Sequence, residues 1–154
     1  MSPDDAYLAR LQAEIASLRY WVPTIADAAH VEDFDSPDYW KLAVIPHVAA
    51  ACPFELLLRA DQRYDVVIAG EAYEDLKIES LDLFVPLVEA IALGHVVQRD
   101  LASAATGQSH AIETVVTLAK GAPWRQRRVL AALPPDTGTD DIIVTERHFL
   151  PYRR

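Results

Sequence analysis

Apolar residues recur at Leu8, Leu11, Ile15 and Leu18, spacings of three and four that put them on one helical face. Arg10, Glu14, Ser17 and Arg19 fall off that stripe. Ser2 supplies a capping hydroxyl, and Pro3 stands where its missing N–H costs nothing. Asp4 and Asp5 suit the positive end of the helix dipole. The pattern predicts an amphipathic helix of about sixteen residues, ended by Pro23. Thr24 to Ser36, with Asp27, Glu32, Asp33 and Asp35, reads as an acidic loop. Ser36-Pro37 repeats the cap-then-proline start. Tyr39, Trp40, Leu42, Ala43, Val44 and Ile45 follow without a polar face, which predicts a second, mostly buried helix that Pro46 kinks or breaks and Pro53 stops.

From Phe54 the period changes to two. Phe54, Leu56 and Leu58 alternate with Glu55 and Arg59, and after Asp61-Gln62-Arg63 so do Tyr64, Val66 and Ile68 around Asp65, which predicts a β-hairpin. An acidic connection from Gly70 to Glu79 leads to a helix capped by Ser80 or Asp82, with Pro86 in its first turn and Gly94 as its stop. Four strand-like runs follow: His95 to Ser103, His110 to Leu118, Trp124 to Ala132 and Ile142 to Leu150. The turns between them, Thr106-Gly107, Lys120 to Pro123 and Pro134 to Gly138, favour an antiparallel meander. The order is ααββαββββ, an α+β domain with N-terminal helices packed on a curved, mostly antiparallel sheet of about six strands. No linker or repeat divides residues 1–154, so one globular domain is expected.

In element order and length, with the strand–Thr106-Gly107–strand turn as a local echo, the chain resembles the nuclear transport factor 2-like superfamily, which includes ketosteroid isomerase and scytalone dehydratase. The resemblance implies a cone enclosing an apolar pocket between sheet and helices, used in that family for isomerisation, dehydration, hydrolysis or plain binding. The chain departs from the family in its acidic loop between the first two helices and in the proline inside the second. No family motif matches, so no catalytic residue carries over.

Composition narrows the class. With 154 residues, 51% hydrophobic and 24% charged, the chain is neither disordered, collagenous nor a coiled coil. A formal charge of −9 argues against nucleic acid as a partner, because phosphate neutralisation supplies most of that affinity. The lone Cys52 allows no intrachain disulfide. The first residues lack the basic and apolar regions of a secretory signal, and the apolar stretches at 43–52 and 83–93 are interrupted, so a cytoplasmic protein with no membrane partner is expected. The charge is unevenly placed: residues 1–90 sum to −11 and residues 91–154 to +2. That split leaves the last four strands as the surface able to approach a partner or a second copy.

Candidate chemistry is sparse. No glycine spacing suits a phosphate loop, and there is no Gly-x-Ser-x-Gly elbow. His47 and Cys52 lack a second ligand pair, and Asp33, Asp35 and Asp38 lack a calcium loop's glycine and terminal glutamate, so no metal or other cofactor is expected. In a cone, every second strand residue lines the pocket. His95, Val97, Arg99 and Leu101 share one strand face, and Ile142, Val144, Glu146 and His148 share another. A carboxylate and an imidazole two apart on an apolar face suit acid–base catalysis, unless that face simply turns to solvent. Glu146, His148 and Asp65 are therefore the catalytic candidates, Arg99 the anion or oxyanion contact, and Tyr20 and Trp40 the aromatic ligand contacts. Trp124 with Arg125, Arg127 and Arg128 is the basic, aromatic cluster, a solvated strand or one side of a charge-matched homodimer contact through the sheet. Two functions are compatible with these features. One is an apolar small-molecule pocket performing binding or cofactor-free isomerase, dehydratase or hydrolase chemistry. The other is a non-enzymatic acidic interaction domain of adaptor, chaperone or immunity type.

Overall fold

The computed structural model describes residues 2–132, 138 and 141–153. Helix α1, Pro3–Trp21, begins at the expected cap, where the Ser2 hydroxyl accepts the Asp5 N–H at 3.2 Å. Its buried stripe is Tyr7, Leu11, Ile15, Leu18 and Trp21, and Leu8 stands partly exposed beside it. Five strands follow: β1 (Ala29–Asp35), β2 (Tyr39–Pro46), β3 (Phe54–Arg59), β4 (Arg63–Ile68) and β5 (Glu71–Lys77). They form an antiparallel meander in sequence order. After a short 3-10 turn comes α2 (Phe84–Ala92), and then β6 (Val96–Ser103), β7 (Ser109–Val116), β8 (Trp124–Val129) and β9 (Ile142–His148). The class is α+β, with helices packed on antiparallel sheets.

The segment expected to be a second helix is strand β2. Trp40, Leu42 and Val44 point to the core while Lys41 and Ile45 do not, and β-branched Val44 and Ile45 suit a pleated surface. A continuous apolar run does not separate a buried helix from a buried strand. The acidic loop contains β1, an edge strand whose exposed Glu32, Asp33 and Asp35 disfavour pairing with another chain, although Phe34 is exposed among them. The acidic connection contains β5. Its period of two is broken by a bulge in which Glu74 and Asp75 together oppose Asp65, so Tyr73 and Leu76, three apart, both pair inward.

The last four strands occur as expected, with a different order. They make their own sheet, β8-β7-β6-β9, in which β9 crosses to pair with β6 instead of extending the meander beyond β8. Of the turn expected at Pro134 to Gly138, residues 134–137 lie outside the described residues.

One continuous core joins these layers. The inner face of the first sheet, from Trp40 to Tyr73, packs on the stripe of α1 and on Phe84, Leu87, Val88 and Ile91 of α2. Val96, Val116 and Trp124 carry the second sheet into the same core. Buried hydrogen bonds lock the sheets together. Tyr73 Oη and Thr114 Oγ1 share a hydrogen bond at 2.6 Å, Gln98 Nε2 donates to the Ile68 carbonyl at 2.7 Å, and Trp124 Nε1 donates to Tyr64 Oη at 3.0 Å. Gly94 ends α2 at φ +81°, and the backbone of Phe149 to Pro151 passes directly over it. Tyr152 then donates to the Cys52 carbonyl at 2.5 Å. Burial pushes the Cys52 thiol up to about 12, so it is an inert apolar group at neutral pH.

Candidate functional site

Alternation gives the second sheet two unlike faces. The inner one carries Val96, Val116 and Trp124, while Val97, Arg99, Leu101, Glu113, Arg125 and Arg127 belong to the outer one. Register places the outer residues in rows across all four strands. Arg127 lies opposite Glu113, Glu113 opposite Arg99, and Arg99 opposite Glu146. Read from β8 to β9, the row is positive, negative, positive, negative. A parallel row on one side is Arg125, Val115, Val97, His148; on the other side it is Val129, Ala111, Leu101, Val144.

Contacts within the central row are close. Arg99 donates from Nη1 to Glu113 Oε1 at 3.1 Å and from Nε to Glu146 Oε2 at 2.7 Å. Arg127 Nη2 donates to Glu113 Oε2 at 3.2 Å, and Arg125 Nη1 is 3.7 Å from Oε1. The Glu113 side chain is 8% exposed, whereas the three arginines are 34–56% exposed. Burial pushes the Glu113 carboxyl up, but the hydrogen bonds from Arg99 and Arg127 and the charges of Arg125 and Arg127 outweigh it and hold the group below its ordinary value. Arg99 likewise holds Glu146 low, and His148 Nε2 stands 3.6 Å from Glu146 Oε1. Carboxylates held low by arginine are weak bases near neutrality. The row is a lattice of ion pairs.

Apolar residues frame this lattice. Val129 and Val144 are 68% and 52% exposed on the outer face; Ile143 and Leu130 next to them are 52% and 43% exposed. The end of the sheet bearing Val96, Val116 and Trp124 is buried, while the end bearing Val129 and Ile142 to Val144 extends past the core into solvent. Of its two edges, β8 is guarded by Arg125, Arg127 and Arg128, and β9 offers Ile142, Ile143, Val144 and Thr145 with no charge among them.

The sequence-derived candidates therefore divide into three groups. Arg99, Glu146 and His148 are brought together, on an exposed sheet face. Asp65 is elsewhere, half-buried on the outer face of the first sheet, where it accepts the Asp75 N–H at 2.6 Å and so holds the β5 bulge, with Arg59 3.7 Å away. Trp40 is 1% exposed and is a core residue, its Nε1 donating to Asp33 at 2.7 Å, and Tyr20 is 87% exposed on α1. Arg128 pairs with Glu71 of the first sheet at 2.6 Å. Glu113 was not singled out by sequence, although a lone carboxylate in the apolar run of β7, with arginines at alternate positions in neighbouring strands, is the signal that marks it.

Four concavities among the described residues lie away from this face. A groove of about 540 Å³ between α1 and the turn before α2 is lined by Tyr7, Arg10, Glu14, Gln62, Ser80 and Asp82. Another of about 460 Å³ includes Arg59 and Asp65, and smaller ones of about 230 and 240 Å³ flank Ile45 and Tyr152. Each of the four is open to solvent, and none includes Arg99, Glu146 or His148. Among the described residues no group of three or more His, Cys, Asp or Glu is placed to hold a metal ion, and no helix is long and apolar enough to cross a membrane. No protein-family model matches the chain, and no curated protein or solved structure shows significant similarity to it.

Proposed function

We propose that the chain acts as a protein-interaction domain whose working surface is the outer face of the β8-β7-β6-β9 sheet. The observation that carries this reading is the projection of that sheet past the core with Val129 and Val144 more than half exposed around an ordered charge lattice. Apolar side chains gathered at a sheet end, rimmed by charge, mark an interaction site more often than a solvated surface. Of the residues expected to catalyse, Glu146 is bound by Arg99 and His148 stands beside it, both outside the four grooves, while Asp65 lines a groove but is tied to the Asp75 N–H; this supports recognition over proton transfer. A photo-crosslinking residue replacing Val129, compared with one replacing the exposed Tyr20, tests the reading in the native cell. Adducts at position 129 and none at position 20 are the expected result. Equal labelling at both positions, or none, overturns it.

A ligand-binding reading in line with the nuclear transport factor 2-like resemblance has one observation in its favour. Burial and the nearby Asp82 raise the Glu14 carboxyl above its ordinary value, in the groove lined also by Tyr7, Ser17 and Ser80. Such a carboxyl suits cofactor-free acid–base work on a hydroxylated ligand. A thermal-shift screen tests it: hits that disappear in Glu14→Gln support it, and no hit from a broad panel refutes it.

A further inference from the structure

Resting on the interaction reading, we infer that the partner on the outer face is a second copy of this chain, related by a twofold axis that runs along the strands between β6 and β7. The central row is antisymmetric in charge: Arg127, Glu113, Arg99, Glu146. Rotation about that axis reverses the row, so Arg127 of one copy meets Glu146 of the other and Glu113 meets Arg99. Every guanidinium of the central row meets a carboxylate. The flanking rows also match themselves on reversal. Val129 falls on Val144, Ala111 on Leu101, and Val115 on Val97, with Arg125 on the imidazole of His148. A twofold axis across the strands keeps the order of the row and sets Arg127 on Arg127 and Glu113 on Glu113, which is repulsive. One isologous arrangement of this face is complementary, and the other is not.

The ion pairs within each copy leave donors for the second. Arg127 uses one nitrogen on Glu113, and Arg125 approaches Glu113 no closer than 3.7 Å. Four strands about 4.8 Å apart and three rows about 6.7 Å apart cover roughly 400 Å² of flat area per copy. Over both copies this is about 800 Å², below the roughly 1,000 Å² of a stable interface, so the dimer is weak and reversible, and it weakens further with salt.

The experiment is a charge swap between copies, read by sedimentation velocity on the full chain. Wild type is expected to show a concentration-dependent monomer–dimer equilibrium. Arg127→Glu alone and Glu146→Arg alone are each expected to weaken it at least tenfold, since each sets like charges together at both symmetric contacts. Mixed in equal amounts, the two variants are expected to recover dimers to within a few-fold of wild type, because both contacts in the heterodimer are again opposite in sign. Circular dichroism checks that each variant is folded; if Arg127→Glu is not, Val129→Lys replaces it as the disrupting change. A wild type that stays monomeric to about millimolar concentration overturns the second copy as partner. A dimer indifferent to either variant overturns the face, and a mixture that stays monomeric overturns the axis. Crosslinks at position 129 to a chain of different mass, with a monomeric wild type, leave the interaction reading standing and this inference refuted.

Discussion

Replacing Glu113 by glutamine keeps the shape of the side chain and removes the charge that Arg99, Arg125 and Arg127 share. In the wild type Oε1 accepts from Arg99 at 3.1 Å and Oε2 from Arg127 at 3.2 Å. An amide offers one acceptor oxygen, so one of these bonds is lost and an N–H is set against a guanidinium. A hydrogen bond to a charged group contributes about 1.5–3 kcal/mol where both ends are dry. Here the carboxylate is buried but the guanidiniums rehydrate readily, being one-third to one-half exposed. Discounting by about half for that screening leaves roughly 0.7–1.5 kcal/mol at neutral pH.

The pH dependence separates this cause from a simple packing defect. The folded-state value of Glu113 is lowered from 4.5, so its contribution is fully present above 4.5 and is lost as pH falls through the lower folded value. The glutamine variant does not titrate there. Glu146 keeps Arg99 in both proteins, and its own titration cancels to first order in the difference. Urea unfolding followed by tryptophan fluorescence at pH 7 and at steps down to pH 3 measures the gap without adding salt. The gap is expected to be widest at pH 7 and to close toward the acid end. A midpoint unchanged at pH 7, or a gap of equal size at pH 3, refutes the ion-pair account of this face.

Gly94 and Gly70 both hold left-handed backbone, at φ +81° and +87°, but a Cβ at Gly94 would stand 2.8 Å from the Phe149 carbonyl oxygen while nothing lies within 4 Å of one at Gly70. Gly70→Ala is therefore expected to cost about 1–2 kcal/mol, and Gly94→Ala about 2 kcal/mol more because the obstruction is backbone; urea midpoints of the pair check the difference. Tyr73→Phe removes the 2.6 Å bond to Thr114 between the sheets and is expected to cost about 1 kcal/mol, since Thr114 retains the Gln98 contact. Trp40→Ala is expected to cost about 3–5 kcal/mol and Tyr20→Ala less than about 0.5 kcal/mol; thermal melts of equal height for the two variants would contradict their placement in core and solvent.

Legibility followed period and punctuation. The Ser2-Pro3 start of α1, the hairpin around Asp61 and the Gly94 stop of α2 were all readable because each is set by residues close in sequence. Strand β2 reads as a helix in sequence because it is apolar on consecutive positions, and only its neighbours β1 and β3 decide that it is extended. The bulge at Asp75 hid β5 by putting Tyr73 and Leu76 out of phase. At the candidate site, Arg99, Glu146 and His148 were identified from alternation along single strands, which places residues on a face but not opposite one another. Their common anchor, Glu113, depends on β6 standing between β7 and β9, and strand order is a long-range property that no local period encodes. The antiparallel meander expected from the turns sets β6 and β9 at opposite edges, with Arg99 and Glu146 far apart, whereas the observed order makes them neighbours.

The uneven charge of the chain acquires a physical role from this strand order. Acidic residues of the first 90 positions are partly neutralised locally, as where Arg19 binds Asp33 and Arg59 binds Asp61. Two seams draw on the second half, Arg128 to Glu71 and Arg153 to Asp27. The outer face of the second sheet spends none of its arginines on those seams; Arg99, Arg125 and Arg127 all turn to Glu113. Two copies meeting through any acidic surface repel at contact distance. Meeting through this face, they bring opposite charges to within a few ångströms while a sheet thickness of about 10 Å on each side separates the acidic layers. At physiological salt the screening length is about 8 Å, so repulsion across that combined thickness is largely lost and the contact row decides the sign of the interaction.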